Sequence, residues 1–123
     1  MDADELKKYG RFTFIEKLKM GGTGSEKIIY LTGIAAFDEW ISFNQDGNYC
    51  SFEIYPNGII CRYQAGIQRQ AAVGILFSHL KTIEINQNSL QIITIKNIVV
   101  FTFIKKQFKS LEKFVLKIKA HLN

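Results

Sequence analysis

The stretch FKSLEKFVLKIKAHL, Phe108 to Leu122, decides the fold. Wound at about 100° per residue, Phe108, Leu111, Phe114, Val115, Ile118 and Leu122 fall within one arc of about 120°. Lys105, Lys109, Lys113 and Lys117 recur at every fourth position on the far side, and no glycine or proline interrupts the run. The pattern predicts an amphipathic helix over 105–122 that lays its apolar stripe on a core. Ser110 and Glu112 offer only weak capping at its start.

Upstream, the period is two. LKTIEI, LQIITI and IVVFTFI are separated by NQNS and KN, which read as tight turns. FEIY and IICRY flank Pro56-Asn57-Gly58, where proline presets φ for a turn. EWISFN and YCSFEIY flank QDGN, whose Asp46-Gly47 is a hairpin signal because both residues tolerate positive φ. The segment QAGIQRQAAVG between them and the later strands reads as a polar, small-residue loop. KIIYLTGIAAF is almost continuously apolar and predicts a strand covered on both sides. Further upstream, Phe12, Phe14, Leu18 and Met20 alternate with Arg11, Thr13, Lys17 and Lys19, broken only by Ile15 and Glu16, and predict a half-buried strand. DADELKKY, residues 2–9, reads as a short helical turn with acids first and lysines last, as the helix dipole prefers. Whether Glu39 to Asn44 forms its own strand stays open.

These readings predict a mainly β chain: one domain over 1–123, with an N-terminal extension at 1–10, an antiparallel barrel of seven or eight strands over 11–104, and the helix at 105–122. A chain of 123 residues, with 47% apolar and 13% aromatic residues and a single proline, suits one folded domain. The start, MDADELKKYG, has no apolar run behind it and does not read as a secretory signal, so a cytoplasmic address is expected. No stretch reaches the apolar length of a membrane span.

Cys50 and Cys61 flank the YPNG turn at an offset that argues against a disulfide and for buried thiols. With His79 and His121 they show no metal-ligand spacing, and neither metal nor cofactor is expected. The net charge is +5, and the lysine-rich tail from residue 105 accounts for all of it, since acids and bases balance over the first 104 residues.

KLKMGGTGSEKII, Lys17 to Ile29, sets glycines beside lysines, which raises the question of a phosphate cradle. A nucleotide loop needs Gly-Lys-Ser/Thr after a glycine and four residues; here Gly24 is followed by Ser25, Glu26 and Lys27, the wrong order. A dinucleotide fingerprint would have to open a helix, whereas Lys27 to Ala35 reads as a strand. A flexible hairpin loop is the plainer expectation.

The order of elements, consecutive antiparallel strands and then one amphipathic helix, resembles the pleckstrin-homology-like superfold. FSHLKTIEI, two further strands and FKSLEKFVLKIKAHL look like the closing half of its small bacterial members. The resemblance implies an open barrel of two orthogonal sheets, closed by the terminal helix. It also implies a loop between the first two strands at the place where lipid-binding relatives grip inositol phosphates. Lys17 and Lys19 then match the lysine ending the first strand, and Lys27 the basic residue entering the second; Ile29 stands where those relatives carry arginine.

For function, His79, Glu53 and Glu84 are candidates for acid–base work, and Cys61 with His79 for a thiol nucleophile. Nothing in their spacing joins them, so no enzyme is expected. His79 reads as a hydrogen-bonded structural histidine, His121 as a charge suited to the end of the helix, and Glu53 and Glu84 as facing water. The expected role is a non-enzymatic interaction module that binds a peptide or protein partner, self-association included, at a sheet edge or barrel mouth. The alternative is an anionic-surface binder, for membrane headgroups or nucleic acid, that uses Lys17, Lys19 and Lys27 with Lys109, Lys113 and Lys117. Tyr49, Tyr55 and Tyr63 are candidates for stacking on bases, though strand propensity also explains them.

Overall fold

The computed structural model describes residues 1–41, 48–64 and 70–122. Seven strands form one antiparallel sheet: β1 (Ile28–Thr32), β2 (Tyr49–Tyr55), β3 (Gly58–Gln64), β4 (Gln70–Leu76), β5 (Leu80–Ile85), β6 (Ser89–Thr94) and β7 (Ile98–Thr102). Their order is β4-β3-β2-β1-β7-β6-β5, so β1 joins two three-stranded meanders. The hydrogen bonding is that of a single sheet, and its edges, β4 and β5, do not pair with each other.

The helix predicted from the tail is present as Phe108–Ala120, preceded by a 3-10 turn at Lys105–Gln107. Its buried residues, Leu111, Phe114, Val115 and Ile118, all belong to the predicted stripe. They meet a core led by Tyr30, Phe37, Phe52, Tyr63 and Phe101. Phe52 packs edge-on against Phe101 at 4.9 Å and faces Phe114 at 6.1 Å, which links helix and sheet through aromatic rings. Each such side chain contributes on the order of 1.5–3 kcal/mol by leaving water.

Four segments differ from expectation. Residues 14–19 are helical rather than extended: Thr13 Oγ1 accepts the Glu16 N–H at 3.2 Å, and the Glu16 carboxylate accepts the Thr13 N–H at 2.9 Å. That capping box supplies two helix-start bonds, and it outweighs an alternation already broken at Ile15 and Glu16. The glycine stretch is therefore not a hairpin loop between two strands. KIIYLTGIAAF is split by Gly33, at φ 114°, into β1 and a helix, Ala35–Ile41. A Cβ on Gly33 would lie 2.2 Å from the Ile98 carbonyl oxygen, so close packing on β7 requires the glycine. Helix, not strand, thus occupies Glu39–Ile41, and the Asp46-Gly47 turn lies outside the described residues. Finally, QAAVG belongs to β4 and is not loop.

The short helix at the N-terminus, Ala3–Lys7, is as predicted, with Asp2 capping Glu5 N–H at 2.8 Å. It is also anchored. Tyr9 is 7% exposed and lies across Gly58 and Gly74 of neighbouring strands. A Cβ on Gly74 would stand 2.1 Å from the Tyr9 hydroxyl oxygen, and one on Gly58 2.8 Å from the ring. The Asn57 turn holds the same segment, its N–H donating to Tyr9 O and its side-chain amide to Lys8 O. Gly74→Ala should therefore lower the unfolding midpoint and make residues 1–10 protease-sensitive. In a Tyr9→Ala background the same change should be neutral or stabilising, because alanine suits a strand better than glycine once the ring is gone. Thermal denaturation of the four-member cycle should give a coupling of about 1 kcal/mol or more.

Candidate functional site

The helices are α1 (Ala3–Lys7), α2 (Phe14–Lys19), α3 (Ala35–Ile41) and α4 (Phe108–Ala120). The glycine stretch following α2 is its C-terminal cap. Gly21 and Gly22 have φ of 72° and 94°, and their N–H groups donate to Leu18 O at 3.1 Å and Lys17 O at 3.0 Å. This paired pattern satisfies the last helical carbonyls and leaves those amides unavailable to a phosphate. Residues 23–25 then run beside β2, with Ser25 N–H donating to Phe52 O and Ile54 N–H to Thr23 O.

Five of the six candidate lysines divide between the two ends of α4. Lys117 Nζ donates to Gly21 O at 3.4 Å and Gly22 O at 3.2 Å, which brings it beside α2 with Lys17 and Lys19. It is a donor to loop carbonyls, not part of an anion cradle. At the other end, Gln107 Nε2 donates to Lys27 O at 2.9 Å, setting Lys27 near the start of α4, where Lys105, Lys106 and Lys109 border a hollow with Phe108 and Gln87. Lys113 lies between the two groups, one turn from Lys117. No single site collects all six.

The catalytic candidates are dispersed as well. The His79 ring is exposed in a 3-10 turn, contrary to the structural role expected for it. Glu84 faces solvent as expected, whereas Glu53 is half-buried in a hollow of about 580 Å³ bordered by Lys7, Arg11 and Lys17. Cys50 and Cys61 are free and buried. Their register offset is only two positions, Cys50 opposite Tyr63 and Phe52 opposite Cys61. Burial first, then the neighbouring Cys50 thiol, pushes the Cys61 thiol well above its ordinary 9.0. No group of three or more His, Cys, Asp or Glu that could hold a metal occurs among the described residues. Of the three tyrosines, Tyr63 is buried and Tyr49 is 45% exposed, so they form no continuous stacking row.

Tyr30 has a structural task that the sequence did not announce. Its hydroxyl accepts the Ile34 N–H and donates to Asp38 Oδ1, both at 2.6 Å, and so ties the start of α3 to the core. Burial, then the bond to Asp38, raises this phenol far above its ordinary 10.0.

The exposed sheet edges differ in kind. Edge strand β5 carries Lys81 and Glu84, has a register shift between Leu80 and Thr82, and packs beside α4. These are features that discourage strand addition. Edge strand β4, QAAVGIL, also has a helix beside it, α3, but it has no charge, no proline and no register shift against β3. Among the described residues, its backbone groups have no partner beyond β3. Beside it lies a hollow of about 290 Å³, walled by Ile34, Val73, Ile75, Ile95 and Val99 with His79 and Lys96 at its border. The small and polar residues of β4 have the composition of a loop, which is why this edge is not visible in the sequence.

Comparison with family models, with curated proteins and with solved structures gives no match. No helix among the described residues is long and apolar enough to cross a membrane.

Two measurements probe the Tyr30 and Cys61 environments. Tyr30→Phe leaves the Ile34 N–H without its acceptor and should cost about 1–3 kcal/mol in chemical denaturation. Because both pKa values are raised, the folded state keeps protons that the unfolded chain releases at high pH. Their contribution is whole below the ordinary thiol value of 9.0 and is lost as pH climbs above it. The unfolding midpoint should fall with rising pH above about 9, and less steeply in Tyr30→Phe above about 10.

Proposed function

We propose that the chain is a non-catalytic interaction module, pleckstrin-homology-like in its strand plan, that receives an extended strand along β4. The observation carrying this reading is the contrast between the two sheet edges. An uncharged edge offers main-chain hydrogen bonds to an added strand, and the adjoining hollow, aliphatic on its β4 side and polar at Thr94 and Asn97, can seat its alternate side chains. Val73, Ile75 and Ile34 favour aliphatic residues there. A second copy suits the same edge, because antiparallel β4 strands paired across a two-fold axis set no like charges opposite each other.

The test has two arms, both using Val73→Lys, which points a charge inward at the edge. Sedimentation across a wide concentration range should show self-association of the natural sequence and its loss in the variant. Panning a peptide library should enrich segments of alternating aliphatic residues that protect β4 amides from hydrogen exchange and no longer bind Val73→Lys. A monomer at every concentration that also enriches no peptide, or association indifferent to Val73→Lys, would remove the proposal.

A further inference from the structure

Helix α2 has no buried residue. Around its axis Phe14, Leu18 and Ile15 share an arc of about 100°, with Lys17 on one shoulder and Lys19 on the other. Phe14 is 74% exposed, Ile15 64% and Leu18 64%. Glu16 occupies the reverse side, its carboxylate held by the Thr13 N–H. A helix of this length does not persist on its own. It is fixed by the capping box, by the glycine cap, by Phe12 and Met20 against the core, and by Lys117 across Gly21 and Gly22. Several independent contacts thus hold in place a helix whose apolar side faces water.

Both ends of α2 are tied to α4. Phe12 meets His121, just past the end of α4, at 6.0 Å, and the glycine cap meets Lys117, so α2 is held beside the last turns of α4, with Lys113 one turn before Lys117. Leu116, 59% exposed, adds apolar surface next to Lys117. The only ion pair among the described residues is Lys7–Asp4, so Lys17, Lys19 and Lys113 make no close ion pair, although Glu16 acts on Lys19 at longer range and Lys17 borders the hollow that holds Glu53.

We infer that this face docks on an anionic phospholipid surface, with Phe14, Ile15 and Leu18 entering the interfacial layer while Lys17, Lys19 and Lys113 meet headgroup phosphates. Three features favour a bilayer over a protein. The trio projects from a convex helix, and a fluid interface closes around projecting side chains without a matching pocket. The flanking cations are lysines, which are depleted at protein interfaces, and their long stems let the ammonium groups reach headgroups while the apolar side is buried. A second copy on the same face would set these lysines against themselves. The inference rests on residues that the strand-addition reading does not use, and stands without it.

Cosedimentation of the full chain with phosphatidylcholine vesicles, with and without phosphatidylglycerol, provides the test. Binding should be about tenfold or more stronger with phosphatidylglycerol, and salt should weaken it. The pair Phe14→Ser and Leu18→Ser should reduce it about tenfold or more with the circular dichroism spectrum unchanged. Lys17→Gln with Lys19→Gln should erase most of the preference for the anionic vesicles. Phe14→Trp gives an independent readout, its emission moving to shorter wavelength only on anionic vesicles. No vesicle binding, equal binding to both vesicle types, or an unshifted Phe14→Trp emission would overturn the inference. Self-association abolished by Phe14→Ser without vesicle binding would overturn it too, by assigning the face to a protein contact.

Discussion

The burial of one helical stripe organises this molecule. Leu111 and Ile118 are fully shielded, with Phe114 and Val115 nearly so, and the Phe114 ring reaches the Phe52–Phe101 pair at the middle of the sheet. Because β1 pairs with both β2 and β7, the two meanders form one surface for the helix to cover. The far side of α4 is then committed to the exterior, and the lysines stand there.

The same helix gathers the chain's ends. His121 Nδ1 lies 2.8 Å from the Lys117 carbonyl, an acceptor only, so that nitrogen carries the proton. Its ring stacks on Phe77 at 5.5 Å and meets Phe12 edge-on, joining the connection between β4 and β5 to the segment entering α2. With Lys117 on the glycine cap, these contacts make the last turns of α4 the platform from which α2 projects.

The tail was legible because its period is strong and uninterrupted over four turns, and the strands from Leu80 to Thr102 because short alternating runs are bounded by turn residues. Arg11 to Met20 misled because four apolar residues at even positions imitate a strand, while the local signal was Thr13-x-x-Glu16, two residues able to cap each other. Gly33 looked like part of an apolar strand; only the approach of the Ile98 carbonyl shows why a glycine must end it. β4 was concealed by composition, since Ala71, Ala72 and Gly74 have weak strand propensity and extend because β3 pairs with them, with Tyr9 filling the space over Gly74. The six lysines were visible as charge, but the division of five of them between two ends of a helix depends on the backbone bonds of Gly21, Gly22 and Lys27, which no spacing rule encodes.

The central claim is that α4 and the sheet share one cooperative core. Native-state hydrogen exchange tests it most directly. Amides of Leu111 to Ile118 should open only with global unfolding, at the same free energy as the most protected amides of β1 and β7. Exchange of the helix amides through a separate opening of much lower free energy, with the sheet still protected, would contradict the account.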